Sequence, residues 1–118
     1  MRIVDEVCIK RIREQAGGRC EACLMRADLH VHHLFSRGAG RLDIPVNLIA
    51  VCPACHAMIH NAWGERLKKI KRLLLTLVAL REQTSPERIE ATIYRLRRLY
   101  KHAEIVNELP EQREATNG

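Results

Sequence analysis

The chain has 118 residues, 47% of them hydrophobic, yet only four are aromatic: Phe35, Trp63, Tyr94 and Tyr100. That is room for one domain and an appendage, and a core without large rings in so short a chain benefits from a metal or covalent staple. The net charge of +6 is uneven, since residues 66–101 hold eleven Lys and Arg against three acids while the remainder holds nine bases against eleven acids. Such a basic half suits a polyanionic partner, and a solvated basic helix face explains the charge equally well. The first sixteen residues carry Arg2, Asp5, Glu6, Lys10, Arg11, Arg13 and Glu14, which no signal-peptide core tolerates. The longest apolar run, residues 73–80 broken by Thr76, is too short to span a bilayer. The expectation is a soluble, cytoplasmic protein with no membrane role, where paired cysteines read as metal ligands before they read as disulfides.

In chain order, residues 3–16 are expected to be helical, with Ile3, Val4, Val7, Cys8 and Ile12 on one side and Gly17-Gly18 as the stop. Cys20 and Cys23 follow in a short knuckle. Residues 29–35 read as a strand, residues 36–41 as a loop, and residues 46–51 as a second strand. Pro53 suits the first turn of a helix ending near Trp63. Beyond Gly64 a helical hairpin is expected. Its first helix places Leu67, Ile70, Leu73, Leu74, Leu77, Val78 and Leu80 on one half, with Lys68, Lys69, Lys71 and Arg72 mostly opposite. Leu75 and Ala79 fall on that polar side, leaving an apolar surface that a second copy or a docking partner could cover. The second helix opens on Ser85-Pro86-Glu87, a cap, a proline at N1 and an acid at the positive helix end. Its apolar side is Ile89, Ile93, Leu96, Leu99, Tyr100 and Ala103, and the tail beyond Pro110 reads as disordered.

Cys20-x-x-Cys23 and Cys52-x-x-Cys55 are two C-x2-C knuckles 28 residues apart. Four thiolates suit tetrahedral Zn2+, and closing so long a loop stabilises a small fold. Cys8 belongs to the apolar face of the first helix and reads as core. Cys52-Pro53-Ala54-Cys55-His56 also spells a haem-attachment string, but that reading requires export and leaves Cys20 and Cys23 without a task. Five of the six histidines lie between His30 and His60. His56 and His60 are four apart on the expected helix and so share a face, a usual way of offering two nitrogens to one metal.

Taken together, Cys20-x-x-Cys23, Val31-His32-His33, Asn47-Leu48-Ile49 and Cys52-x-x-Cys55-His56-x-x-x-His60 resemble the zinc-stapled members of the HNH endonuclease family, whose nuclease motif is a ββα-metal hairpin and helix. The resemblance spans residues 18–61. It implies a metal-dependent endonuclease that hydrolyses DNA phosphodiester bonds, nicking or cutting both strands. It makes His33 the general base that activates water, and His32, His56 and His60 the ligands of one catalytic divalent ion, Mg2+, Mn2+, Zn2+ or Ni2+. Asn47 would orient His33 or brace the two strands. The convergence of His32 and His33 comes from the resemblance, because neighbours on a regular strand face opposite ways and a twist or bulge would be needed to bring them together. His30 shares parity with His32, as an extra ligand or an ordinary histidine. Arg37, Arg41, Lys68, Lys69 and Arg72 are the candidate DNA contacts.

The fold class expected is therefore α+β: a small ββα-metal core stapled by a four-cysteine zinc, with an N-terminal helix and a C-terminal helical hairpin. The expected division is a nuclease domain over 1–63, a basic hairpin over 64–109 and a tail over 110–118. Two other functions fit parts of the pattern. A DNA-binding zinc module would need the cysteines and the basic hairpin but not His33 or Asn47, and an interaction protein would use the leucine-rich hairpin.

Overall fold

The computed structural model describes residues 3–35 and 41–108, without the side chains of Tyr100 and residues 102–108. The expectations for Arg37 and for the tail over 110–118 lie outside the described residues. Helix α1, Glu6–Gln15, starts three residues later than the apolar spacing suggests, because Asp5 caps it by accepting from the Cys8 amide at 3.0 Å. Ile3 is left outside the helix and forms a parallel bridge with Leu42. Val4 and Val7 are exposed, and only Cys8 and Ile12 of that face are buried. The helix ends where Gly17 takes a φ of +63°, a left-handed turn that costs a residue without Cβ nothing.

Strand β1, His30–His33, pairs antiparallel with β2, Leu48–Val51, in the register His30↔Val51 to His33↔Leu48. A 3-10 turn, Pro45–Asn47, occupies the start of the stretch expected as the second strand, where proline sets the turn. All four residues of β2 are buried, because α1 contacts this strand as does α3, Gly64–Arg81. The outer edge of β2 is also closed: the Glu21 amide donates to the Ala50 carbonyl at 2.9 Å, and the Ala50 amide donates to Glu21 Oε1 at 3.3 Å. Helix α2, Pro53–Asn61, follows β2 directly, so β1, β2 and α2 stand in ββα order. The fold is α+β.

Helix α3 and α4, Pro86–Glu108, form the hairpin, and Ser85 Oγ accepts from the Arg88 amide at the start of α4. The buried stripe of α3 is Leu74, Leu75, Val78 and Ala79, which corrects the expected apolar face. Leu75 and Ala79 are therefore core residues rather than a docking surface, while Leu73 and Leu80, expected inside, are exposed. The reason is tertiary: α3 is covered along one line by β2 and the 3-10 turn and along another by α4, so the buried sector is set by its neighbours. Ile89 and Ile93 of α4 are buried as expected, Leu96 is half-buried, and Leu99 is exposed. One cluster of buried side chains runs from Cys8 and Ile12 through β2 to Val78 and Ile93.

Candidate metal centre and active site

The knuckle at Cys20 and the start of α2 bring four sulfurs together. The Cys23 amide donates to Cys20 Sγ and the Cys55 amide to Cys52 Sγ, each at 3.4 Å. Two residues of each pair are thereby held facing the same point, and the knuckles meet where Cys23 Sγ and Cys52 Sγ are 3.7 Å apart. All four sulfurs lie within 4.8 Å of one another. Sulfurs around a tetrahedral zinc with bonds near 2.3 Å would be about 3.8 Å apart, so the donor set fits that ion. Burial works against ionising Cys20, but donated amides from Cys23, Cys52 and Ala22 bring its thiol down to about 7. Burial and the neighbouring sulfurs push Cys55 up. Four thiols this close resist joint ionisation without a cation among them.

The histidines divide between two arrangements. His32 from β1 and His56 and His60 from α2 offer nitrogens within 4.8 Å of one another. His56 Nε2 and His60 Nε2 are 2.9 Å apart, and the His32 ring lies 5.5 Å from His56 and 5.9 Å from His60. Two nitrogens bound to one ion at about 2.0–2.1 Å would be roughly 2.9–3.4 Å apart, so this trio fits a metal. Burial, followed by the facing His56 and His60, lowers His32 to about 4, and burial with His60 and His30 lowers His56. Rings kept neutral in this way present lone pairs to a cation. His30 sits on the same strand face as His32, with its Nδ1 3.2 Å from His56 Nδ1, the nitrogen of His56 that faces away from the trio's contact.

His33 is held differently. Its Nε2 lies 2.8 Å from Asp43 Oδ1. Asp43 has a fully buried side chain, and it also accepts from Arg41 Nε, Arg41 Nη2 and the Asp5 amide. Burial alone would raise the Asp43 carboxyl, but donors from Arg41, His33 and Asp5 hold it at about 2. Arg41 also donates to Glu6 at 2.9 Å, so in this structure its guanidinium lies between Asp43 and Glu6. The β1–β2 ladder pairs residue for residue up to His33, so no bulge turns the two histidines together. The chain bends at Leu34 and Phe35 immediately after it, and both His32 and His33 line one cavity of about 300 Å³.

Asn47 is fully buried. Its side chain accepts from the Phe35 amide at 2.7 Å and donates to the Phe35 and Leu42 carbonyls at 3.1 and 2.9 Å. It therefore joins the two ends of the segment between β1 and the 3-10 turn, two residues from His33, and does not bond His33 itself. Of the hairpin candidates, Lys68 pairs with Glu65 and Arg72 with Glu87, while Lys69 is exposed. Three residues at the site escaped sequence reasoning: Asp43, Lys71 and Arg97. For Asp43 the available signal was an acid set between apolar neighbours, Leu42 and Ile44.

No curated protein was found to match the chain. Just over a third of it, residues 20–62, matches the family model described as HNH endonuclease. That stretch, which contains both cysteine pairs, the histidine trio, His33, Asp43 and Asn47, is where the chain is similar to the HNH endonuclease family.

Proposed function

We propose that the chain is a metal-dependent DNA endonuclease that hydrolyses phosphodiester bonds. Cys20, Cys23, Cys52 and Cys55 would hold a structural Zn2+, and His32, His56 and His60 one catalytic divalent ion, Mg2+, Mn2+, Zn2+ or Ni2+. The observation that carries this reading is the meeting of two histidine arrangements at one cavity. Three rings converge nitrogen to nitrogen, and the fourth, His33, turns to a carboxylate.

Asp43 accepting from His33 Nε2–H selects that tautomer and leaves Nδ1 with the lone pair. A neutral imidazole oriented in this way takes a proton from water, and the buried carboxylate stabilises the imidazolium that results. Asn47 keeps the backbone after His33 in place through its bonds to Phe35. The ion held by the trio would polarise the scissile phosphate and stabilise the leaving oxygen. A module that only binds DNA has no need of a base paired to a buried acid, which weighs against that alternative.

Cleavage of supercoiled plasmid across the four divalent ions tests the reading. His33→Ala should retain the catalytic ion while cleaving about 10²–10⁴-fold more slowly. His56→Ala should lose ion affinity, with activity partly restored by excess metal. Cleavage by His33→Ala at the wild-type rate removes the general base from this account.

A further inference from the structure

The cavity lined by His32, His33 and His60 is not closed by the HNH domain alone. Lys71 from α3 and Arg97 from α4 form part of its wall. Both lie beyond residue 62, where the family match ends. No carboxylate lines this cavity among the described residues. Arg97 is half-buried, and its Nε is buried with no hydrogen-bond partner among the described residues. Lys71 also lines the adjoining cavity of about 280 Å³, which adds Lys68, Arg72 and Glu90, the last paired with Arg72. The neighbouring bases on α3, Lys68 and Arg72, have acidic partners, whereas Lys71 and Arg97 have none among the described residues.

Two cations without acidic partners in one concave wall are unfavourable together unless an anion completes the site. Lys71 and Arg97 line this cavity together with three histidines and, among the described residues, no acid, so an anionic ligand suits it. We propose that Lys71 and Arg97 form a phosphate clamp in the active-site cavity, so that the helical hairpin completes the site rather than merely adding charge beside it. The ligand is a backbone phosphate of the DNA substrate, which Arg97 would hold through its planar fork and Lys71 as a point charge. This rests on the endonuclease reading for the identity of the substrate, but the clamp itself is a binding claim.

The test uses the full chain and a fluorescein-labelled 20-base-pair duplex, with anisotropy measured over a range of salt and no added divalent ion. Cleavage of supercoiled plasmid with Mg2+ or Mn2+ is followed in parallel. Arg97→Gln and Lys71→Met should each flatten the slope of log K against log salt by about 0.9, as expected for one lost phosphate contact. Each should also slow cleavage, Arg97→Gln by about 10²-fold, as for removal of a donor to transition-state charge. Arg95→Gln, on the same helix away from this cavity, removes the same charge and should change neither. An unchanged slope in both site variants overturns the clamp even if cleavage falls, because a cation needed only for packing would give that result. Equal flattening by Arg95→Gln overturns it too, since the effect would then be diffuse charge. Should Arg97→Gln fail to fold, Lys71→Met, at an exposed position, carries the same test. If wild type binds with the steeper slope but cuts nothing, the clamp stands and the endonuclease reading fails.

Discussion

Asp43 is a buried acid made useful by its neighbours. A carboxylate with no exposed side-chain surface would ordinarily be neutral, yet three sets of donors stabilise its charge. Because its folded value of about 2 is below the ordinary carboxylate value, the ionised form favours the folded state. That contribution is fully present above about pH 4 and is lost as pH falls toward 2; a shift of this size corresponds to roughly 2–3 kcal/mol. Asp43→Asn should therefore lower the melting temperature at pH 7, and the gap to wild type should narrow between pH 4 and pH 2. A constant gap over that range would show that the charge is not what stabilises the fold. The same variant should cleave at least tenfold more slowly, yet add little to His33→Ala, because the two residues act as a unit. The histidines were legible as residues because their order and spacing carry the motif. Asp43 was not, since its partner His33 is ten residues away and only the folded chain brings them into contact.

At the scale of elements, Arg81 joins the hairpin to the domain. It makes two bonds to Glu21 at 2.8 and 2.9 Å and donates to the carbonyls of Pro45 and Leu48. It also bonds Glu82, and the Arg81 and Glu21 side chains are only 20% and 15% exposed. One guanidinium thus connects the end of α3 to the cysteine knuckle, the 3-10 turn and the start of β2. Arg81→Ala would leave Glu21 and two carbonyls short of donors, and should cost about 2–4 kcal/mol, read as a lower denaturant midpoint with an unchanged slope. A loss below half a kcal/mol would mean that apolar packing alone holds the hairpin in place. Hydrophobic spacing identified both hairpin helices and the cap of α4, because those signals are local. It misjudged which leucines of α3 face inward, because Leu75 and Ala79 are covered by elements far away in the chain.

At the scale of the whole molecule, the fold brings together two cysteine pairs 28 residues apart in the chain, one before β1 and one at the start of α2. A metal on Cys20, Cys23, Cys52 and Cys55 is bound only by the folded chain, so its binding free energy adds to stability. Cys20→Ser or Cys55→Ser should cost on the order of 3 kcal/mol or more, a fall in melting temperature of about 10 °C or more. Protein washed free of loose ions should retain about one zinc per chain. Four freely reactive thiols in the native protein would sink the staple. Among the described residues no helix is long and apolar enough to cross a membrane.

The sequence alone determined the α+β class, the two cysteine knuckles, the HNH pattern and the helical hairpin. Each of these is written in local spacing: C-x2-C on a knuckle, residues four apart on a helix, caps and prolines at helix starts. Only the tertiary structure decided that His32 and His33 reach one cavity without a bulge. It also decided that Asn47 bonds Phe35 rather than His33, and that Arg41 turns to Asp43. Lys71 and Arg97 are 26 positions apart on different helices, and nothing in their own neighbourhoods distinguishes them from the other bases of the hairpin. Which cations share a cavity with the histidines depends on how α3 packs on β2 and how α4 packs on α3, and that packing is a property of the assembled core.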